Sequence, residues 1–192
     1  MLLKRVCLTA AVAATLFASA GTATAAPSRF DDGSFEYPAA PANSFRTYGS
    51  GASIGPWKVA TGAVDLIGAG FWQAAEGDQS VDLNATGPGT VTQTFTTTPG
   101  KSYTVTYSLA GNPGGNQQSK TGRALIDGQS FQDFTFDTTG RTMANMGYVT
   151  RQFTFVANNA TTALAFSSTT PRSAHGPVID DVRVHSCDSC CR

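Results

Sequence analysis

The run Val178-Ile179-Asp180-Asp181-Val182-Arg183-Val184 sets a carboxylate among valines. If this run is a strand, alternation sends Val178, Asp180, Val182 and Val184 to one face, toward the core. An ionised carboxylate cannot stand there alone, so Asp180 needs a cation or several hydrogen-bond donors. Glu36, between Phe35 and Tyr37 after the Asp31-Asp32-Gly33 turn, is a matching oddity near the start. Where first and last strands lie close together, Glu36 and Asp180 can share a structural Ca²⁺ with backbone carbonyls, because hard cations take oxygen ligands. The alternative is that Asp180 accepts backbone N–H bonds or pairs with an Arg, while Glu36 is exposed.

Loop aromatics suggest a second chemistry. Trp72-Gln73 follows the Gly68-Ala69-Gly70 turn, Tyr48 lies in the Gly-rich stretch 38–55, and Tyr148 follows Asn145-Met146-Gly147. Sugar rings present C–H faces that stack on aromatic rings, and amides satisfy their hydroxyls. Tyr48, Trp72, Gln73, Asn112 and Tyr148 are therefore candidates to touch carbohydrate. The competing role for Trp and Tyr is packing, and Trp57, after Pro56, reads as core.

Signs of catalysis are sparse. Beyond the N-terminal segment the histidines are His175 and His185, with neither a G-x-S-x-G elbow nor an H-E-x-x-H motif. Glu76 and Asp78 could in principle form the carboxylate pair of a glycosidase, yet Gly77-Asp78 also makes an ordinary turn. The chain is expected not to be an enzyme and to need no organic cofactor. At the far end, Cys187-Asp188-Ser189-Cys190-Cys191-Arg192 allows a Cys187–Cys190 disulfide, leaving one thiol to link a partner chain. A zinc site using His185 and a tail of no consequence are the other readings.

The elements that must position these residues are strands. Tyr103, Val105, Tyr107 and Leu109 alternate with Thr104, Thr106 and Ser108. Similar alternation predicts about ten strands, at 34–37, 63–67, 79–83, 90–97, 102–110, 123–127, 131–136, 149–155, 162–166 and 178–185. No stretch between them has the helical period, so the predicted fold is all-β, a two-sheet antiparallel jelly-roll sandwich. Segments 38–55 and 111–122 read as the long irregular loops where a site would sit.

Composition narrows the classes further. Of 192 residues only 14% are charged, 13 basic against 13 acidic, which excludes the basic footprint of a nucleic-acid binder. With 41% hydrophobic residues, the chain can bury a core rather than remain disordered. Residues 1–25 read as a secretory signal peptide, with Lys4 and Arg5, an apolar run from Val6 to Ala20 and an Ala23-Thr24-Ala25 cleavage site. The domain is then expected over 26–186, the cysteine tail over 187–192, and no membrane span in the mature chain.

Several phrases together carry a resemblance. They include Gly33-Ser34-Phe35-Glu36, Gly55-Pro56-Trp57, Phe71-Trp72-Gln73-Ala74-Ala75-Glu76-Gly77, Ser80-Val81-Asp82-Leu83-Asn84, Asn145-Met146-Gly147-Tyr148 and Gly176-Pro177-Val178-Ile179-Asp180-Asp181-Val182. In collinear order from about Arg29 to Val184, the chain resembles the bacterial choice-of-anchor C family. It is similar in turn to the plant cell-wall family numbered 642 among the domains of unknown function. The resemblance implies a galactose-binding-like jelly roll, secreted and associated with cell-wall or extracellular polysaccharide, with no established activity. It also implies calcium between Glu36 and Asp180. The alternative function is an extracellular structural or adhesive matrix protein that binds other proteins.

Overall fold

Runs in which Thr, Val and aromatic residues alternate form strands, because β-branched and aromatic side chains pack well on a pleated surface. The computed structural model describes residues 29–186. The expected signal peptide, and the tail with Cys187 and Cys190, lie outside the described residues. Twelve strands are present: β1 Phe45–Gly49, β2 Ser53–Ile54, β3 Trp57–Thr61, β4 Ala63–Ile67, β5 Ser80–Asp82 and β6 Thr90–Thr96, then β7 Ser102–Gly111, β8 Ser119–Ile126, β9 Gln129–Asp137, β10 Val149–Val156, β11 Thr161–Ser168 and β12 Pro177–Ser186. Among the described residues there is no helix, hence none long and apolar enough to cross a membrane.

Two six-stranded sheets, ordered β1-β4-β5-β12-β7-β10 and β2-β3-β6-β11-β8-β9, pack face to face with antiparallel pairing throughout. The expected jelly-roll sandwich is therefore the observed fold. Tyr107 projects from β7 across the interior, its ring 4.9 Å from Phe166 and 6.0 Å from Phe134 of the opposite sheet. Trp57 is fully buried as expected, 5.0 Å from Phe35, with its indole N–H donating to the Asp32 carbonyl at 2.9 Å. Burying a side chain of this kind stabilises the fold by about 1.5–3 kcal/mol, and truncating Trp57 to Ala costs about 3–5 kcal/mol.

Three sequence expectations need correction. Residues 34–37 are not a strand: the Asp32 carboxylate accepts the Glu36 and Tyr37 N–H groups at 2.8 and 3.4 Å, and Phe35 sits at φ 58°. A local side chain thus supplies the hydrogen bonds that a neighbouring strand would have given. The stretch 38–55 is not irregular throughout, since it contains β1 and β2. Edge strand β1 is largely exposed and lacks an apolar alternation, which hides it from a pattern search.

The third correction concerns Asp180. β12 pairs with β7 as Asp180 opposite Ser108 and then Arg183 opposite Thr106, so one extra residue is inserted. Asp181, at φ 47°, carries this β-bulge. The bulge reverses the alternation. Val184 lies opposite inward-facing Val105, whereas Asp180 shares the outer face with Ser108. Asp180 is buried, but beneath loops outside the sheet and not in the core.

Candidate functional site

The register of the first sheet builds the site. Leu66, Val81, Ile179 and Leu109 form one cross-strand row facing the core. The next row, Thr47, Asp65, Asp82, Val178 and Ala110, must face outward. Outward does not mean solvated, because every residue of β5 and most of β4 are buried. Loops fold over this outer face and leave one cleft of about 320 Å³.

Asp65 and Asp82 form the floor of the cleft. Phe45, Phe71, Trp72 and Met143 supply apolar walls, and Asn112 and His175 line it as well. Phe45 meets Phe71 edge-on at 5.7 Å, and Phe71 meets Trp72 at 5.5 Å, making a continuous aromatic wall. Phe45 and Met143 are 45% and 46% exposed, so this wall extends to the surface. Trp72 is held from beneath, its indole N–H donating to Ser80 Oγ at 2.8 Å.

The two floor carboxylates are treated differently. Asp82 accepts N–H bonds from Asn84 and Gly176 at 2.9 Å each and from Asn112 Nδ2 at 2.7 Å. Burial nevertheless pushes its carboxyl up to about 7, those bonds opposing the shift. Among the described residues Asp65 accepts only the Thr47 hydroxyl, at 2.5 Å, and burial raises its carboxyl too. Lys120 is wholly buried on β8 and reaches the Gly114 carbonyl at 3.4 Å, behind the cleft. Burial lowers its ammonium, with Asp82 acting against that shift. His175 is lowered first by burial and then by Lys120, which favours the neutral imidazole.

A second pair of carboxylates fixes the loop that carries Trp72. Asp180 Oδ2 accepts the Ala75 and Glu76 N–H groups at 2.7 and 3.1 Å, and its Oδ1 accepts Asp181 N–H at 2.6 Å. Glu36 Oε1 accepts the Asp78 and Gln79 N–H groups, both at 2.9 Å. Gly77 lies between these grips at φ 61°, and a Cβ there would overlap the Glu36 carboxylate. Gln79 completes the tie: its amide N donates to the Phe35 carbonyl at 2.6 Å, and its amide O accepts Ala40 N–H at 2.5 Å. Through these N–H bonds Glu36 and Asp180 clamp the loop. Among the described residues no group of three or more His, Cys, Asp or Glu is placed to hold a metal.

Of the residues singled out from sequence, Trp72 and Asn112 meet in the cleft. Gln73 supports it from outside, its amide O accepting Met146 N–H at 3.1 Å and its backbone N–H donating to the Met143 carbonyl at 2.8 Å. The Tyr148 hydroxyl is buried near Ser80, and burial raises its pKa. Tyr48 belongs elsewhere: it lies opposite core-facing Val64 and packs against the interior, because adjacent strand residues face opposite ways. Glu76 and Asp78 are exposed on the clamped loop and form no cleft pair. Sequence reasoning missed Asp65, Asp82, Phe45, Phe71 and His175. Asp65 in Ala63-Val64-Asp65-Leu66-Ile67 and Asp82 in Ser80-Val81-Asp82-Leu83 carried the signal that singled out Asp180, a carboxylate inside an apolar strand.

Residues 28–185 match the family described as "Protein of unknown function (DUF642)". The chain belongs to that family. This membership bears out the resemblance to the family numbered 642. Halomucin of Haloquadratum walsbyi is 27% identical to this DUF642 chain over 164 residues, covering 82% of the chain and 2% of halomucin. The chain therefore spans about one fiftieth of the length of that curated relative. Among solved structures it is similar to "CBM35 from Cellvibrio japonicus Abf62", with TM-score 0.47 and 18% identity over 78% of this chain and 88% of that one. It is also similar to "Structure of CBM35 from Paenibacillus barcinonensis", with TM-score 0.47 and 15% identity over 73% of this chain and 98% of that one.

Proposed function

We propose that this DUF642 chain is a non-catalytic carbohydrate-binding domain whose sugar site is the cleft on the outer face of the first sheet. The observation that carries this reading is the pairing of an aromatic wall, Phe45-Phe71-Trp72, with a polar floor of Asp65, Asp82 and Asn112. A pyranose ring has that same division, an apolar C–H face and a hydroxyl rim. A cleft of about 320 Å³ lies at the small end of ligand sites, suiting a mono- or disaccharide unit of a longer chain. Binding without turnover is supported by Asp82, whose two oxygens are held by three donors. The natural setting is a secreted protein on cell-wall or extracellular polysaccharide.

Retention on insoluble polysaccharides tests the reading. Phe45→Ala is the informative variant, since a ring that is 45% exposed can be removed with little loss of stability. Retention should fall about tenfold, the scale of a lost stacking contact worth roughly 1 kcal/mol or more. Unchanged retention in Phe45→Ala and Asp65→Asn together would remove the cleft from the function. No retention on any glycan would favour the extracellular matrix role instead.

A further inference from the structure

The floor of the cleft is dominated by two carboxylates, Asp65 and Asp82. Asp65 and Asp82 lie directly opposite each other on β4 and β5, an arrangement in which like charges repel. Asn112 holds Asp82 through Nδ2 and accepts Gly114 N–H at its Oδ1 at 2.9 Å, so one Nδ2 hydrogen is its remaining donor. Among the described residues, those lining the cleft include no Lys or Arg. The nearby cation, Lys120, sits behind Gly114 and acts on Asp82. Asp82 thus has three hydrogen bonds and a buried ammonium in its neighbourhood. Asp65 has neither. It is 9% exposed and lines the cleft, its Oδ1 is met by Thr47, and its Oδ2 has no hydrogen bond from any described residue. A largely buried carboxylate with one unpartnered oxygen, beside an aromatic wall, is completed by a ligand that brings a positive donor.

We propose that the cleft selects sugars bearing a free, protonated amine, with Asp65 as the residue that receives the ammonium, and that it disfavours uronate sugars. This rests on the cleft being the sugar site. The ring packs against Phe45, Phe71 and Trp72, and its ammonium donates to Asp65 Oδ2. The proposed ligand class is an aminoglycan with unacetylated amines. An N-acetyl group removes the charge, and a uronate carboxylate brings an acceptor to a floor of acceptors.

Calorimetric titration of the domain at pH 6.5 and physiological salt tests this with four soluble probes: glucosamine hexamer, N-acetylglucosamine hexamer, cellohexaose and galacturonate hexamer. Glucosamine hexamer should bind at least tenfold tighter than the acetylated and neutral hexamers, and the galacturonate should bind weakest. Asp65→Asn should bring the amine-to-acetyl ratio to within about twofold. Asp133→Asn, an exposed acid paired with Arg123 at 3.6 Å, should leave that ratio unchanged. Should Asp65→Asn fail to fold, wild-type titration in two buffers of different ionisation enthalpy gives a second readout. Ammonium binding should expel protons from the carboxylate pair, and cellohexaose should not. Equal affinity for amine and acetyl hexamers, tightest binding of the uronate, equal loss of preference in Asp133→Asn, or amine binding with no proton release would each overturn the proposal. If Phe45→Ala still weakens the hexamers in those cases, the cleft stands as the sugar site and only its selectivity falls. If none of the four probes binds, the amine selectivity falls, and retention on the insoluble polysaccharides decides whether the cleft is a sugar site.

Discussion

Asp65 and Asp180 occupy the outer face of one sheet, both buried beneath loops, yet the fold completes one and leaves the other open. Asp180 receives three backbone N–H groups from two directions, and Asp65 receives one hydroxyl. Two of the three donors on Asp180, Ala75 and Glu76, belong to the segment following Trp72, so its carboxylate positions a wall of the cleft. Asp65 lines the cleft itself and keeps one oxygen without a hydrogen bond from any described residue. Buried charge at one end of the face is an anchor and at the other a point of contact, and the number of donors separates the two.

The strongest way to break this contrast is Asp180→Ala. It leaves the Ala75, Glu76 and Asp181 N–H groups without their acceptor and should destabilise the domain by about 3 kcal/mol, read by urea unfolding. Retention on glycan should also fall, because the Trp72 loop is released. Asp65→Asn, by contrast, should change stability by less than about 1 kcal/mol while altering ligand choice. Comparable stability losses in the two variants would erase the distinction.

Dependence on pH comes next in size. Asp82 and Asp180 both have folded-state carboxyls pushed up to about 7 by burial, well above the 3.8 of an unfolded chain. Between these values the folded state binds more protons, so stability is greatest below about pH 4 with respect to these groups and declines as pH rises toward 7. Asp65, also raised by burial, adds to that slope, while His175, lowered on folding, opposes it. The melting temperature should therefore be a few degrees higher at pH 5 than at pH 8. Asp82→Asn should flatten that slope, and a profile rising from pH 5 to 8 would contradict the assignment.

Smaller effects sharpen the anchor side. Glu36→Gln keeps the shape of an exposed side chain but removes its charge from two N–H bonds, with an expected loss of about 1 kcal/mol. Calcium is the competing assignment for Glu36 and Asp180. The clamp predicts that calcium or a chelator moves the melting temperature by less than about one degree, whereas a rise of several degrees with saturating calcium would establish the metal.

Strict alternation made β7 legible, and resemblance placed the whole sandwich. The site was half legible. Trp72 and Asn112 were read as loop residues with sugar-binding chemistry, and the structure joins them. Asp65 and Asp82 were hidden because a sheet covered by loops on its outside buries both faces. Their apolar neighbours then looked like core, with no sign of which way the carboxylates turned. Asp180 was noticed for sound reasons and assigned the wrong face, since a bulge leaves little trace in composition. Tyr48 was misplaced for a related reason: edge strand β1 reads as a loop, so parity along it could not be counted.

One inserted residue at Asp181 lets a single strand give valines to the interior and a carboxylate to the opposite side. Deleting that codon would straighten β12 into regular alternation with the same facing, Asp180 outward and Val182 and Val184 inward, and would remove the Asp181–Arg183 pair at 2.8 Å. Substitution of Asp181 by glycine, which accepts a positive φ without difficulty, should keep both the bulge and the facing.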